Sequence, residues 1–252
     1  MWKTAIFLLI TLVLVPFIAF NVDEPLTILQ KDILFTLVRV YLIAASICFI
    51  LSLLTNNHSQ VDKLWSLIPI AYAWIIAIRV DFEPRILLMA SLVTIWGSRL
   101  TYNFFRRGGY SIKFWTGKED YRWSILREKP EFSAQWKWIM FNLLFISFYQ
   151  MGLILLITLP ALKSINGSPL GWQDLIISML FIGFVITETI ADQQQWKFHK
   201  RKRQLIEEGK KLPEKYKKGF VSEGLWGLVR HPNYGSEQAI WIVFYFFSIS
   251  AT

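Results

Sequence analysis

Apolar positions in this chain come in long blocks, and the polar positions are gathered between them. A helix needs about 20 mostly apolar residues to cross the hydrocarbon core of a bilayer. Residues 4–20 reach that length narrowly. Their head, Met1-Trp2-Lys3, resembles a signal peptide, but no small-x-small cleavage site follows, so the segment is read as a retained anchor. Residues 33–54 form a clear span. Residues 64–78 form a short one, with Pro69 interrupting its first turns. Residues 86–105 end in Arg106-Arg107-Gly108-Gly109, and residues 138–162 and 175–191 supply two more spans. Residues 239–250 begin a seventh, but at ~1.5 Å per residue its apolar stretch covers only roughly 18 Å. The pattern predicts an all-α, polytopic transmembrane helix bundle forming a single domain over residues 1–252. It has six full spans and a seventh truncated at the C-terminus.

Charge orients this bundle. Of 27 Lys and Arg residues, eight lie between Arg106 and Lys137 and eleven between Lys197 and Arg230. Two spans separate these loops, so they share a side. On the opposite side, the loop between the fifth and sixth spans has one lysine, Lys163, and the segment between the first and second is acidic at Asp23 and Glu24. Excess Lys and Arg marks the cytoplasmic side, which places the N-terminus and both basic loops in the cytoplasm. Composition agrees: 54% of residues are hydrophobic, and the mean hydropathy is +0.39. The net charge of +9 is then explained by loops facing anionic membrane lipid, not by a nucleic-acid partner. Cys48 is the only cysteine, so no internal disulfide forms. The three histidines give no HExxH, and no metal site is expected. No GxGxxG opens a βαβ unit, which excludes a soluble Rossmann site.

Four polar clusters fall at the cytoplasmic ends of these spans. Ionisable groups at membrane depth are costly and point to function. Glu188, Asp192, Gln195 and His199 share one face of the sixth span. A helix end emerging into water explains His199 but not Glu188, which follows two apolar turns. Arg230, His231, Asn233, Tyr234 and Glu237 crowd eight residues around Pro232, where a turn returns the chain to the bundle. Arg230 is suited to a phosphate or carboxylate; interfacial anchoring is the blander role for it and for His231. Arg99 and Asn103 lie one helical turn apart, beside Tyr102 and ahead of a Gly pair and Glu119-Asp120-Tyr121-Arg122-Trp123. A helix C-terminus with a glycine stop explains Arg106 and Arg107 but explains Arg99 less well. Asp62 opens the third span, where it is a candidate acid or a simple helix cap. Convergence on one face predicts a single cavity lined by Asp62, Arg99, Glu188, Asp192, Asn233 and Glu237.

These clusters resemble the steroid 5α-reductase superfamily, in its branch found widely in bacteria. The resemblance rests on residues 62–65, the W-G-x-R-L-x-Y-N segment from Trp96 with its R-G-G-Y continuation to Tyr110, residues 119–123, residues 188–194, and R-H-P-N-Y-x-x-E from Arg230 to Glu237. The last motif is shared with membrane isoprenylcysteine and phospholipid methyltransferases. The resemblance implies NADPH-dependent reduction of an activated C=C bond in a lipid or steroid-like substrate. It implies a bacterial inner-membrane location with a cytoplasmic active face. It assigns the cofactor to Arg99, Asn103, Glu188, Asp192, Arg230, His231, Asn233, Tyr234 and Glu237. It gives Asp62 and Tyr102 to the substrate carbonyl as catalytic residues. Members continue past residue 252 through further helix and a basic tail, and His199 stands where the steroid enzymes have arginine. Two other classes remain open at this stage: a methyltransferase using S-adenosylmethionine, and a non-catalytic membrane protein. The first leaves Asp62 and the Glu188–Asp192 face unexplained. The second leaves unexplained why the charged clusters sit at one membrane face.

Overall fold

The computed structural model describes residues 2–22, 24–113 and 115–252; Asp23 of the acidic segment and Met1 of the N-terminal head lie outside the described residues. Regular structure among the described residues is helical throughout, as the apolar blocks predict. The first four longer helices are α1 (Trp2–Val22), α2 (Ile28–Thr55), α4 (Leu67–Arg79) and α5 (Pro84–Arg106), with a single-turn helix α3 (Gln60–Leu64) between α2 and α4. Then come a short α6 (Tyr121–Arg127), the long α7 (Gln135–Lys163) and α8 (Trp172–Glu207). Two single turns follow, α9 (Glu214–Lys217) and α10 (Leu225–Leu228), and then α11 (Pro232–Ser250).

Three of these helices, α2, α7 and α8, are long and apolar enough to cross a membrane, and α1 and α4 carry shorter apolar stretches. The chain is a multi-pass integral membrane protein. Two boundaries differ from the pattern for physical reasons. The expected span at 64–78 is broken at Trp65 and Ser66, and Pro69 falls in the first turn of α4, where its missing N–H costs no helical bond. The last helix starts at Pro232, not at residue 239, because proline favours the first helical position. Its 19 residues cover ~28 Å.

The described residues fall into two compact units: the chain up to Pro169 with Ala251–Thr252, and Leu170–Ser250. In the first, α7 packs against α2 and α4, α5 packs on α4, and α1 lies along α7. A capping box at Thr27 and Gln30 opens α2, and Asn56, in the left-handed region at φ 50°, closes it. Residues 142–149 of α7 form a π-type stretch. There the Asn142 amide donates to Ser52 Oγ at 2.6 Å and the Tyr41 hydroxyl donates to the Phe148 carbonyl at 3.3 Å. Gly97 allows α5 to approach α4: a Cβ there would lie 2.6 Å from the Ser66 carbonyl oxygen.

Polar contacts gather at the two ends of this unit. At one end Arg79 pairs with Asp32, the Gln30 amide donates to the Leu162 carbonyl, and the Asn166 N–H donates to Glu83. Fully buried Arg85 donates there to the carbonyls of Ser168 and Pro169. At the other end, residues 57–66 bind residues 110–123. In the second unit α8 and α11 run antiparallel. Ser250 donates to Asp174 at one end (2.7 Å), and Asn233 donates to Asp192 at the other (3.2 Å). Those anchors are 18 residues apart on α8, or ~27 Å, close to one hydrocarbon thickness.

Candidate functional site

In the first unit the chemistry gathers around the short helix α3. Residues 57–60 and Lys63 are buried although they are polar, and a buried polar group needs partners. A second loop supplies them. The Asn57 amide donates to the Gly117 carbonyl at 3.0 Å, and the His58 backbone N–H donates to Glu119 Oε1 at 2.6 Å. The Asp120 N–H donates to Ser59 Oγ at 2.9 Å, and the Gln60 amide donates to the Trp115 carbonyl at 2.9 Å. Lys63 Nζ donates to Gln60 Oε1 at 3.0 Å and to the Thr116 carbonyl at 2.7 Å. The Tyr110 hydroxyl closes the clasp by donating to the Lys63 carbonyl at 2.6 Å.

Asp62 emerges from this clasp into a cavity of about 330 Å³. Trp65, Leu100 and Phe104 supply apolar wall; Ser66, Asp120, Arg122 and Gln150 supply polar groups. The Trp123 indole N–H donates to Asp62 Oδ2 at 3.3 Å. Burial raises the Asp62 carboxyl above its usual value of 3.8, and the nearby Asp120 charge adds to this, against hydrogen bonds from Ser59 and Trp123 and the charge of Arg122. Its neighbour behaves oppositely. Burial raises Asp120, but two hydrogen bonds and the charge of Arg122 outweigh that and hold it below the usual range. Two carboxylates therefore flank one cavity with their proton affinities pushed apart, a pattern that separates an acid from an ionised partner. A wider depression of about 460 Å³ beside Trp136, Lys137 and Met140 has almost wholly apolar walls. Trp and Lys there fit interfacial anchoring.

Asp62 is thus placed at a cavity, and Ser59, not Asp62, occupies the cap position of α3. Tyr102 does not join it. Its side chain is 64% exposed, and Arg106 lies over its ring at 5.8 Å. Asn103 is buried and accepts from Arg106 Nε at 2.8 Å; Arg99 is half-buried on the same helix. Sequence reasoning missed His58, Ser59 and Gln60. The signal was available, since six consecutive polar residues, 55–60, directly precede the segment Val61-Asp62.

The remaining candidates lie in the second unit. Glu188 and Asp192 are both buried on one face of α8. The turn before α11 and the first turn of α11 are fastened to α8 by three bonds. The Leu225 N–H donates to Gln194 Oε1 (3.1 Å), the Trp226 indole donates to the Ala191 carbonyl (3.0 Å), and Asn233 donates to Asp192. Gly224 makes this approach possible: its φ is 62°, and a Cβ would lie 2.5 Å from Gln194 Nε2. Glu237 accepts from the Trp241 indole at 3.1 Å. Arg230, His231 and Tyr234 are exposed. The Asp62 and Asp192 clusters belong to different compact units.

Residues 48–252 match the model of a family described as "Protein of unknown function (DUF1295)". The chain belongs to this family. The family's span takes in Asp62, the Arg99–Tyr110 segment, Glu188, Asp192 and the Arg230–Glu237 turn. An uncharacterized protein of Schizosaccharomyces pombe is 34% identical over 220 residues, covering 80% of this chain and 60% of that protein. The chain therefore spans about three-fifths of that relative's length. No solved structure matches.

Proposed function

We propose that this protein is a membrane reductase that uses NADPH to reduce an activated C=C bond of a lipid or steroid-like enone. The observation that carries the reading is Asp62. Burial raises its carboxyl above the usual value, and it lines a cavity walled in part by Trp65, Leu100 and Phe104. When bound, the cofactor would supply hydride to the β-carbon of the enone, and the resulting enolate would take a proton from water at its α-carbon. Negative charge develops on the carbonyl oxygen, and a donor aimed at that oxygen is worth about 2.7–4 kcal/mol in comparable sites. Protonated Asp62 acts as that donor, and Trp123 fixes its orientation. The Ser66 hydroxyl and the Gln150 amide are the cavity's neutral polar groups for the rest of the head. A volume of about 330 Å³ admits the polar end of a long apolar molecule. Tyr102, exposed on α5, takes no part in this step as we read it.

The donor set of the second unit fits such a cofactor. Glu188, Asp192 and Asn233 are polar groups at the end of a membrane-length helix pair, where they accept from ribose hydroxyls and hold a carboxamide. Exposed Arg230 supplies positive charge for phosphates, with His231 beside it. S-adenosylmethionine chemistry gives neither Asp62 nor the buried carboxylates a task.

The reading has the bundle crossing the membrane at α1, α2, α4, α5, α7, α8 and α11, with the N-terminus and both basic loops in the cytoplasm. The support is the excess of Lys and Arg in those two loops. Because Cys48 is buried and is the only cysteine, single reporter cysteines are clean. Cysteines at Lys113 and Lys210 should label only from the cytoplasmic side of intact cells, and labelling of either from outside overturns the orientation. Activity is tested with vesicles bearing the protein: NADPH should be consumed only when an apolar enone is added, with a saturated product. Methyl transfer without NADPH consumption would overturn the reading.

A further inference from the structure

The clasp that holds Asp62 contains a histidine with a definable protonation state. His58 is 4% exposed and lies between two partners. On one side its Nε2 is 2.9 Å from the Trp138 indole Nε1. An indole N–H only donates, so Nε2 must be the acceptor and carries no proton. On the other side Nδ1 is 3.0 Å from Glu119 Oε1. A carboxylate only accepts, so Nδ1 carries the proton. The ring is therefore neutral, in the Nδ1–H form, and both of its nitrogens are in use. A second proton has one place to go, Nε2, where it would point at the indole N–H.

We propose that neutral His58 is an acid-labile latch and a positioning residue for Asp62. It joins the 57–63 segment to the 115–120 loop and opens when a second proton reaches Nε2. This deepens the reading of Asp62 given above and rests on it for its consequence for catalysis. The connection is short. The His58 backbone N–H and Nδ1 both bind Glu119 Oε1; the next residue, Ser59, accepts from the Asp120 N–H and hydrogen-bonds Asp62. Opening at His58 therefore frees the chain that carries Asp120, which lines the Asp62 cavity, and Trp123, which donates to Asp62.

The charged groups facing the ring support the same direction. Burial lowers the His58 value below the usual 6.5; Glu119 opposes this through its hydrogen bond and charge, while Arg127 adds to the lowering. Arg127 also sits over the Trp138 ring at 5.9 Å, so a proton on Nε2 meets positive charge as well as the indole. A group with a lowered native value binds protons more weakly folded than open. The latch is thus intact above about 6.5 and weakens as pH falls below that value, by up to about tenfold per pH unit.

Three histidines make this readable directly. In protein labelled with ¹⁵N-histidine, the resonance absent from His58→Gln is expected to show the Nδ1–H tautomer and to stay neutral below pH 6.5. In Trp138→Phe, which keeps the ring packing and removes the indole donor, His58 should titrate higher. The intrinsic-rate-corrected exchange protection of the Asp120 amide should fall on acidification from pH 7.5 to 5. It should not fall in His58→Gln, which offers Trp138 an acceptor and never charges. An Nε2–H tautomer, or Asp120 protection independent of pH in the wild type, overturns the latch. None of these measurements involves turnover. If the latch behaves as described but acidification leaves the turnover of His58→Gln and wild type equally affected, it is the role of Asp62 that fails.

Discussion

Asp62→Ala is expected to lower enone reduction by about 10²–10³-fold at neutral pH, the usual effect of removing one donor to a developing oxyanion. Asp62→Asn should behave differently. Asparagine keeps an acceptor for Trp123 and Ser59 and keeps a neutral N–H donor, so part of the rate survives. What it loses is titration. Wild-type activity should decline as pH rises through the raised Asp62 value, because only the protonated carboxyl donates. In Asp62→Asn that limb should be flat. Stability moves the other way. With its native value raised, Asp62 binds a proton more tightly folded than unfolded, so burial of the carboxylate costs nothing below about 3.8 and increasingly more as pH rises through the native value. Asp62→Asn should therefore raise the melting temperature at pH 8 relative to wild type and leave it unchanged at pH 4. A variant that loses both rate and stability at pH 8 would make Asp62 a structural residue.

The second large effect concerns Asp192. It is buried on α8, accepts from Asn233, and lies one helical turn from Glu188. Asp192→Ala is expected to weaken NADPH binding roughly ten- to hundredfold, corresponding to about 1.5–3 kcal/mol for a hydrogen bond to a charged group. Part of that loss comes from freeing Asn233, so Asn233→Ala and the double variant complete the cycle. If both groups hold the cofactor jointly, the double variant should lose much less than the sum of the single effects. Exposed His199 on the same helix, replaced by Gln, should leave binding within about twofold.

The all-helical fold and most helix positions were legible in the sequence, because the blocks at 33–54, 138–162 and 175–191 are set by apolar length alone. Boundaries were less legible where local chemistry acts. Thr27 and Gln30 extend α2 backwards through a capping box, and Pro232 starts α11 early. The break at Trp65 and Ser66 was legible in part, because Pro69 has no N–H to give to the Trp65 carbonyl; the clasp of residues 57–63 onto residues 110–120, a contact between distant parts of the chain, was not. The same holds for the site. Asp62 could be singled out from its neighbours, but its partner Trp123 lies 61 positions away. Tyr102 and Trp123 were both available aromatic donors within matching motifs. Only the structure of α5 shows that Tyr102 is exposed, and only the helix capped by Asp120 brings the Trp123 indole to Asp62. Glu188 and Asp192 were legible because helical spacing alone puts them on one face.

The central claim is that the second unit's buried carboxylates serve a pyridine nucleotide. Its most direct test is equilibrium binding to the purified full-length protein in detergent or nanodiscs, with NADPH and S-adenosylmethionine titrated side by side. The account predicts saturable NADPH binding that weakens in Asp192→Ala, and no binding of S-adenosylmethionine. Binding of S-adenosylmethionine with none of NADPH up to millimolar concentration would contradict it.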